Sequence, residues 1–255
     1  MTTLIDSEIN TEMELGRLIR NGDAGQASGA CYELRLGNVY YDLTESDRPI
    51  HVAVGQDILI KPGHRVVLIT HEELEVPKNV LTRIVSKGSL FSVGLSPVAT
   101  YADPGFSGNL GIVTQNISDK YIVLPQLVPI AKADFTRLTG NVNHPYSGQH
   151  GFRTQIWPIK HQLQKSHAEV AADPRVGTEK EEGYRLLPEA TANVLRKLER
   201  RQLLTDAAIV LAVVLNAAAI FLVGNNFLDN FQGLVGNLVA SVLVGIVVIY
   251  TNRKG

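Results

Sequence analysis

Cysteine is all but missing: Cys31 is the only one in 255 residues. That excludes an internal disulfide framework and a cysteine-ligated zinc site, and it points to a reducing compartment. Cys31 itself, beside Tyr32, reads as a small buried side chain. Neither sign of charge is in excess, with 24 Lys and Arg against 25 Asp and Glu and a net charge of -1. A chain so balanced lacks the basic surface that neutralises phosphates along DNA or RNA, so nucleic acid is not an expected partner. The seven histidines are scattered, with no pair at helical metal-binding spacing, and no resident metal ligand set is read from them. The opening MTTLIDSEINTEMELGRL (residues 1–18) lacks an apolar signal core and reads as a short amphipathic helix.

Charge is also missing locally. Asp206 and Asp229 are the only charged side chains between positions 206 and 250. Within that stretch lie two apolar runs, AAIVLAVVLNAAAIFLV (207–223) and LVGNLVASVLVGIVVIY (234–250). As helices each would reach about 25 Å, at the short end of what crosses a hydrocarbon core of about 30 Å. Arg196, Lys197, Arg200 and Arg201 precede the first run, and Arg253 and Lys254 follow the second. The positive-inside bias then places both ends in the cytoplasm, at an inner or plasma membrane, with the GNNFLDNFQG turn outside. Gly236, Ala240, Ser241 and Gly245 suit close helix packing, and Asn216 and Asn237 suit hydrogen bonds between helices. A greasy hairpin buried in a soluble core is the alternative.

What is present before residue 140 is a series of short β signals: CYELRLGNVYYDL, HVAVGQDILIKPG, HRVVLITHEELEVP, LTRIVSKG and KYIVLPQLVPIAKADFTRL. Runs of β-branched and aromatic residues broken by Gly, Pro, Asn and Asp predict an all-β barrel or sandwich, with Pro62-Gly63 turning one strand into the next. After Trp157-Pro158, a polar and weakly periodic stretch reads as linker, and Pro188-Glu189 opens a helix running into the first apolar span. Trp157 is expected to pack against the barrel. The expected divisions are a globular domain at 1–158, a polar linker at 159–187, a juxtamembrane helix at 188–205 and a transmembrane helical hairpin at 206–255.

One block carries a family resemblance. SKGSLFSVGL followed by ADPGFSGNL, within residues 86–110, resembles the R-S-S-L-x-R-x-G-L and I-D-P-G-[FW]-x-G signatures of dCTP deaminase, a branch of the trimeric dUTPase-like fold. LIDSEI, ASGACYELRLGN, ILIKPGHRVVLITHEELEVP and NHPYSGQHG extend the resemblance, in order, over about the first 150 residues. It implies a mainly β, dUTPase-like distorted barrel with a short N-terminal helix, followed here by a linker helix and two transmembrane helices. It also implies a homotrimer with sites between subunits, a pyrimidine deoxynucleoside triphosphate as ligand and Mg2+ on its phosphates.

By the same resemblance, Lys87, Gly88 and Ser89 face phosphate, as backbone N–H groups, a hydroxyl and an ammonium in a tight turn can. Asp103 contacts the deoxyribose 3'-hydroxyl and, in the dUTPase branch, orients the attacking water. Tyr146 and Gln149 belong to a tail that closes over the nucleotide. The chain departs from the pattern in its chemistry. The deaminase branch carries a glutamate as proton shuttle in a run like L-E-x-x-N, and the matching position is Val113. The family's arginines fall at Lys87 and Ser92, and its first serine at Gly88. The expectation is a membrane-anchored nucleotide-binding protein with lost or reduced deaminase activity and a sensing role. The alternatives are an active dCTP deaminase, a dUTP pyrophosphatase using Asp103 as its catalytic residue, and a structural trimeric scaffold.

Overall fold

Strand-forming runs punctuated by turn residues become, in the computed structural model, a mainly β unit over Met1–Lys160, and the remainder forms a second unit, His161–Gly255. The structure describes residues 1–149, 158–225 and 229–253. Trp157, His150, Gly151 and Lys254, for which roles were expected, lie outside the described residues.

After β1 (Thr2–Thr3) and helix α1 (Asp6–Glu14) come β2 (Leu18–Arg20), β3 (Ala27–Ser28), β4 (Cys31–Asp42), β5 (Pro49–His51) and β6 (Ile58–Ile60). Then follow β7 (Arg65–Glu75), β8 (Val80–Ser86), a short helix α2 (Gly88–Ser92), β9 (Ala99–Ala102), β10 (Ser107–Gln115), β11 (Ile122–Leu124) and β12 (Pro129–Arg137). The main sheet runs β10-β7-β4-β12-β8-β9, and β11 pairs β6 in a separate ladder. Neighbours on the main path are antiparallel.

β7 lies between β4 and β10, and its sequence shows why. In place of apolar-polar alternation it carries VVLIT, so both of its faces are covered. Val66 and Leu68 enter the main core with Tyr32, Leu34, Leu36, Ile112, Ile130 and Phe135. Val67 and Ile69 enter a smaller cluster with Val39 and Tyr41 on the opposite face. Burying a side chain of this size contributes about 1.5–3 kcal/mol. Pro62-Gly63 turns β6 into β7 as expected, with Gly63 N donating to Asn116 O at 2.8 Å. Cys31 is only half-buried, its thiol on Ser28 O at 3.5 Å.

Among the described residues one charged side chain, Glu72, is fully interior. Glu72 is buried and accepts from Arg35 Nε at 2.6 Å and Arg35 N at 2.7 Å, and from the Tyr32 hydroxyl at 3.3 Å. Pairing of this quality is what makes a buried carboxylate tolerable. Burial, with Glu72 adding to it, pushes the Tyr32 phenol up to about 12.

The second unit is helical: α3 (His167–Val170), α4 (Glu179–Leu186), α5 (Glu189–Gly224) and α6 (Asn230–Arg253). The stretch read as linker therefore contains α4. A capping box forms it: Thr178 accepts from Glu181 N, and the Glu181 carboxylate accepts from Thr178 N at 2.9 Å. Arg196 of α5 stacks over the α4 Tyr184 ring at 5.0 Å, and Lys180 pairs with Glu199 at 2.5 Å. Pro188 opens α5, which continues for 36 residues. Among the described residues one helix, Glu189–Val223, is long and apolar enough to cross a membrane, and none of its apolar window is buried. Two spans were expected; α6 folds back on α5, where any side chain on Gly233 would collide with Val223, but its place as a second crossing rests on sequence.

Candidate functional site

β9 and β10 are the two ends of the main sheet path. They are joined by the Asp103-Pro104-Gly105-Phe106 turn, yet no ladder pairs them among the described residues. They form a hairpin fastened at both ends and splayed in the middle. At the open end Ser96 N donates to Gln115 O at 2.8 Å, Thr114 Oγ1 donates to Ser96 O at 2.9 Å, and Leu95 bridges Asn116. At the turn Phe106 N donates to Asp103 O at 2.9 Å, and Gly105 N and Val76 N bond across to Val76 O and Phe106 O.

The splayed middle holds a cavity of about 390 Å³, lined by β9, β10, the turn and the returning tail. Edge-strand backbone groups face a gap with no ladder partner, which suits a flat ligand bearing its own donors and acceptors. Along β10, Asn109, Gly111 and Val113 line the cavity, as does the largely buried Leu110, while Ile112 and Thr114 are buried away from it. Asn109 sits at a register shift; its Nδ2 donates to Thr70 O at 3.0 Å and Glu72 O at 3.2 Å, stitching the irregular stretch of β7.

The structure brings three of the expected site residues together here: Asp103, Tyr146 and Gln149 all line the cavity. Asp103 is exposed and, among the described residues, is the only charged side chain lining it. Tyr146 N donates to Pro104 O at 2.8 Å, its hydroxyl donates to Gln149 O at 2.7 Å, and its ring meets Phe106 edge-on at 5.5 Å. Gly105, at φ +94°, permits this approach, since a Cβ there would come within 3.0 Å of Pro145. The tail is thus already folded over the Asp103 turn. Val113, where the resemblance places a deaminase glutamate, is 39% exposed on the cavity face.

Lys87, Gly88 and Ser89 do not line this cavity in the single chain. They lead from β8 into α2, and Lys87 Nζ donates to both Glu33 oxygens at 2.9 Å, with Lys132 Nζ 3.7 Å from the same carboxylate. Three residues of consequence escaped the sequence reading: Tyr101, Asn109 and Glu33. Tyr101, 57% exposed at the cavity, carries a recognisable signal as an aromatic side chain ahead of the Asp-Pro-Gly turn. The other two depend on register between distant strands. For a cation, Asp42, Glu45 and His64 place ligand atoms within 4.8 Å of one another. Those carboxylates are engaged already, by His64 Nδ1 at 2.8 Å and by Lys61, and the group is not part of the cavity lining. A hydrated magnesium ion takes one or two carboxylates and keeps water; Asp103 is the one carboxylate on the cavity lining among the described residues.

The model of the family described as dCTP deaminase-like matches residues 3–138. The chain is 27% identical over 170 residues to a dUMP-forming dCTP deaminase of Nocardioides sp., covering 60% of this chain and 89% of that one. It is 26% identical over 148 residues to a dUMP-forming dCTP deaminase of Halobacterium salinarum, covering 51% and 76%. Among solved structures, the 2'-deoxycytidine 5'-triphosphate deaminase of Agrobacterium tumefaciens superposes with a TM-score of 0.45 at 16% identity, over 52% of this chain and 47% of that chain.

Proposed function

This chain belongs to the dCTP deaminase-like family, and on that premise we propose that it is a membrane-anchored protein binding a pyrimidine deoxynucleotide, with deaminase activity lost or reduced. The observation that carries this reading is a cavity holding Asp103, Tyr146 and Gln149 together while Val113 occupies the shuttle position. In the proposed complex the base lies between the open edges of β9 and β10, against Tyr101 and the bare backbone at Gly111. Asp103 accepts from the sugar hydroxyl, and the Tyr146 tail stays folded over it. Lys87, Gly88 and Ser89 serve the phosphates, as part of a homotrimer whose sites lie between copies, and Mg2+ accompanies the phosphates.

Hydrolytic deamination adds water to C4 of cytosine and expels ammonia. The water must lose a proton and the leaving amine must gain one, a task for which a positioned acid-base group contributes about 10²–10⁴-fold. The Val113 isopropyl group can do neither, which supports binding without deamination. Hydrolysis of the triphosphate to a monophosphate and pyrophosphate needs no such shuttle. Asp103, charged and facing the cavity, favours this second reading. Incubation with dCTP and dUTP plus magnesium separates the two by product. The first reading expects saturable binding without ammonia; the second expects pyrophosphate, with Asp103→Asn lowering its release at least about 100-fold. Nucleotide affinity that is absent throughout leaves only a scaffold.

The anchor in this proposal is the bare apolar part of α5, with α6 as the returning span. Arg196, Lys197, Arg200 and Arg201 lie just ahead of it, at the cytoplasmic side of an inner or plasma membrane. The nucleotide domain occupies 1–158, the connecting segment 159–187, the juxtamembrane part 188–205 and the hairpin 206–255.

A further inference from the structure

We infer that Glu33 sets the charge of the ligand this site accepts: by holding Lys87 and Lys132 as its counter-ions, it lets nucleosides and monophosphates bind nearly as well as triphosphates. The inference rests on the nucleotide reading above and refines it.

Glu33, Lys132 and Val85 lie in one row across β4, β12 and β8, because Lys132 pairs in register with Glu33 on one side and Val85 on the other. Directly opposed residues on antiparallel strands share a face. Lys87, two positions beyond Val85, leans back onto that row and gives its ammonium to both Glu33 oxygens at 2.9 Å. Lys87 and Glu33 are 23% and 24% exposed, so water screens them less than it screens Lys132 at 45%. The three charges sum to one positive charge, and the charged lining residue of the cavity, Asp103, is negative.

Polyphosphate recognition uses uncommitted cations, and best of all the arginine fork. Here the turn's cation is a lysine already paired. A triphosphate meets in Lys87 an ammonium that has already given two of its three N–H groups to Glu33, and gains that charge in full only by displacing the carboxylate, which is left with the longer contact to Lys132. The gain and the loss are of the same kind and offset one another. A nucleoside avoids the exchange, since Asp103, Tyr101, Tyr146 and the open strand edges meet only its sugar and base.

Isothermal titration of the full chain in detergent with deoxycytidine, dCMP and dCTP, at constant ionic strength and magnesium, reads this out. In the wild type the dissociation constants of dCMP and dCTP fall within about threefold of each other. Glu33→Gln frees Lys87 and tightens dCTP about tenfold while leaving deoxycytidine unchanged. Adding Lys87→Gln to Glu33→Gln, which returns the row to its one positive charge, now on Lys132, restores the shallow wild-type ladder. A wild type that binds dCTP more than about thirtyfold tighter than dCMP overturns the inference, as does a Glu33→Gln variant that shifts deoxycytidine and dCTP alike. Failure of all three ligands to bind removes the nucleotide reading itself, an outcome distinct from a steep ladder.

Discussion

The β unit and the helical unit are both rich in apolar side chains and place them oppositely. Val66, Leu68 and Phe135 in the first are at most 1% exposed, whereas Val210, Val213, Ile220 and Phe221 in the second are 62–67% exposed. A sheet unit that covers its own apolar face needs no other solvent. A helix apolar all round and bare needs lipid or other apolar surface about it. The mean hydropathy of +0.05 averages these two solutions and describes neither. Chemistry divides along the same line: the polar groups that converge on a cavity belong to the β unit, and the long uncharged run belongs to the helices.

That contrast can be broken first with two phenylalanines. Phe135→Ala empties a fully buried position and is expected to destabilise the β unit by about 3–5 kcal/mol, whereas Phe221→Ala, at a bare position, leaves the same denaturation midpoint unchanged. Equal effects in urea titrations of the detergent-solubilised protein would erase the distinction. Next in size, Val214→Arg places a charge in the middle of the apolar part of α5 and opposes insertion by about 3 kcal/mol. The fraction sedimenting with membranes should fall, while binding of dCTP in detergent is retained.

A smaller effect sharpens the account of the β interior. Tyr32 titrates at about 12 in the fold, against about 10 in an unfolded chain. Its neutral form is favoured by folding, so its contribution is fully present below pH 10 and is lost as pH rises toward 12. The loss amounts to about 2–3 kcal/mol. Unfolding free energies measured across that window should decline in the wild type and decline less in Tyr32→Phe.

Much of the β unit was legible in the sequence because its signals are local. Pro62-Gly63 between ILI and VVLI marks a turn wherever it occurs, and the unbroken VVLIT run marks a strand covered on both faces. Asp103, Tyr146 and Gln149 were legible as motif residues, and the Asp-Pro-Gly turn explains how the first is presented. The phosphate-facing role of Lys87 reads differently in three dimensions, since its partner Glu33 is 54 positions away in sequence and only strand register brings them together. Asn109 was hidden for the same reason: its amide serves carbonyls of β7. The splaying of β9 from β10 was hidden too, because each strand alone looks ready to pair. The helix α4 was overlooked for a different cause. Thr178 and Glu181 spell a capping box, but the surrounding charge and the short length resemble a solvated connector.

Equilibrium binding of dCTP to the purified full chain, with ammonia assayed in the same samples, bears on whether the splayed hairpin is a nucleotide pocket stripped of its deaminating group. Saturable binding with no ammonia above a protein-free control, and ammonia release gained in Val113→Glu, is the expected result. Ammonia from the wild type at rates ordinary for an enzyme, about 1 per second or faster, or a complete lack of saturable binding, would show the account to be wrong.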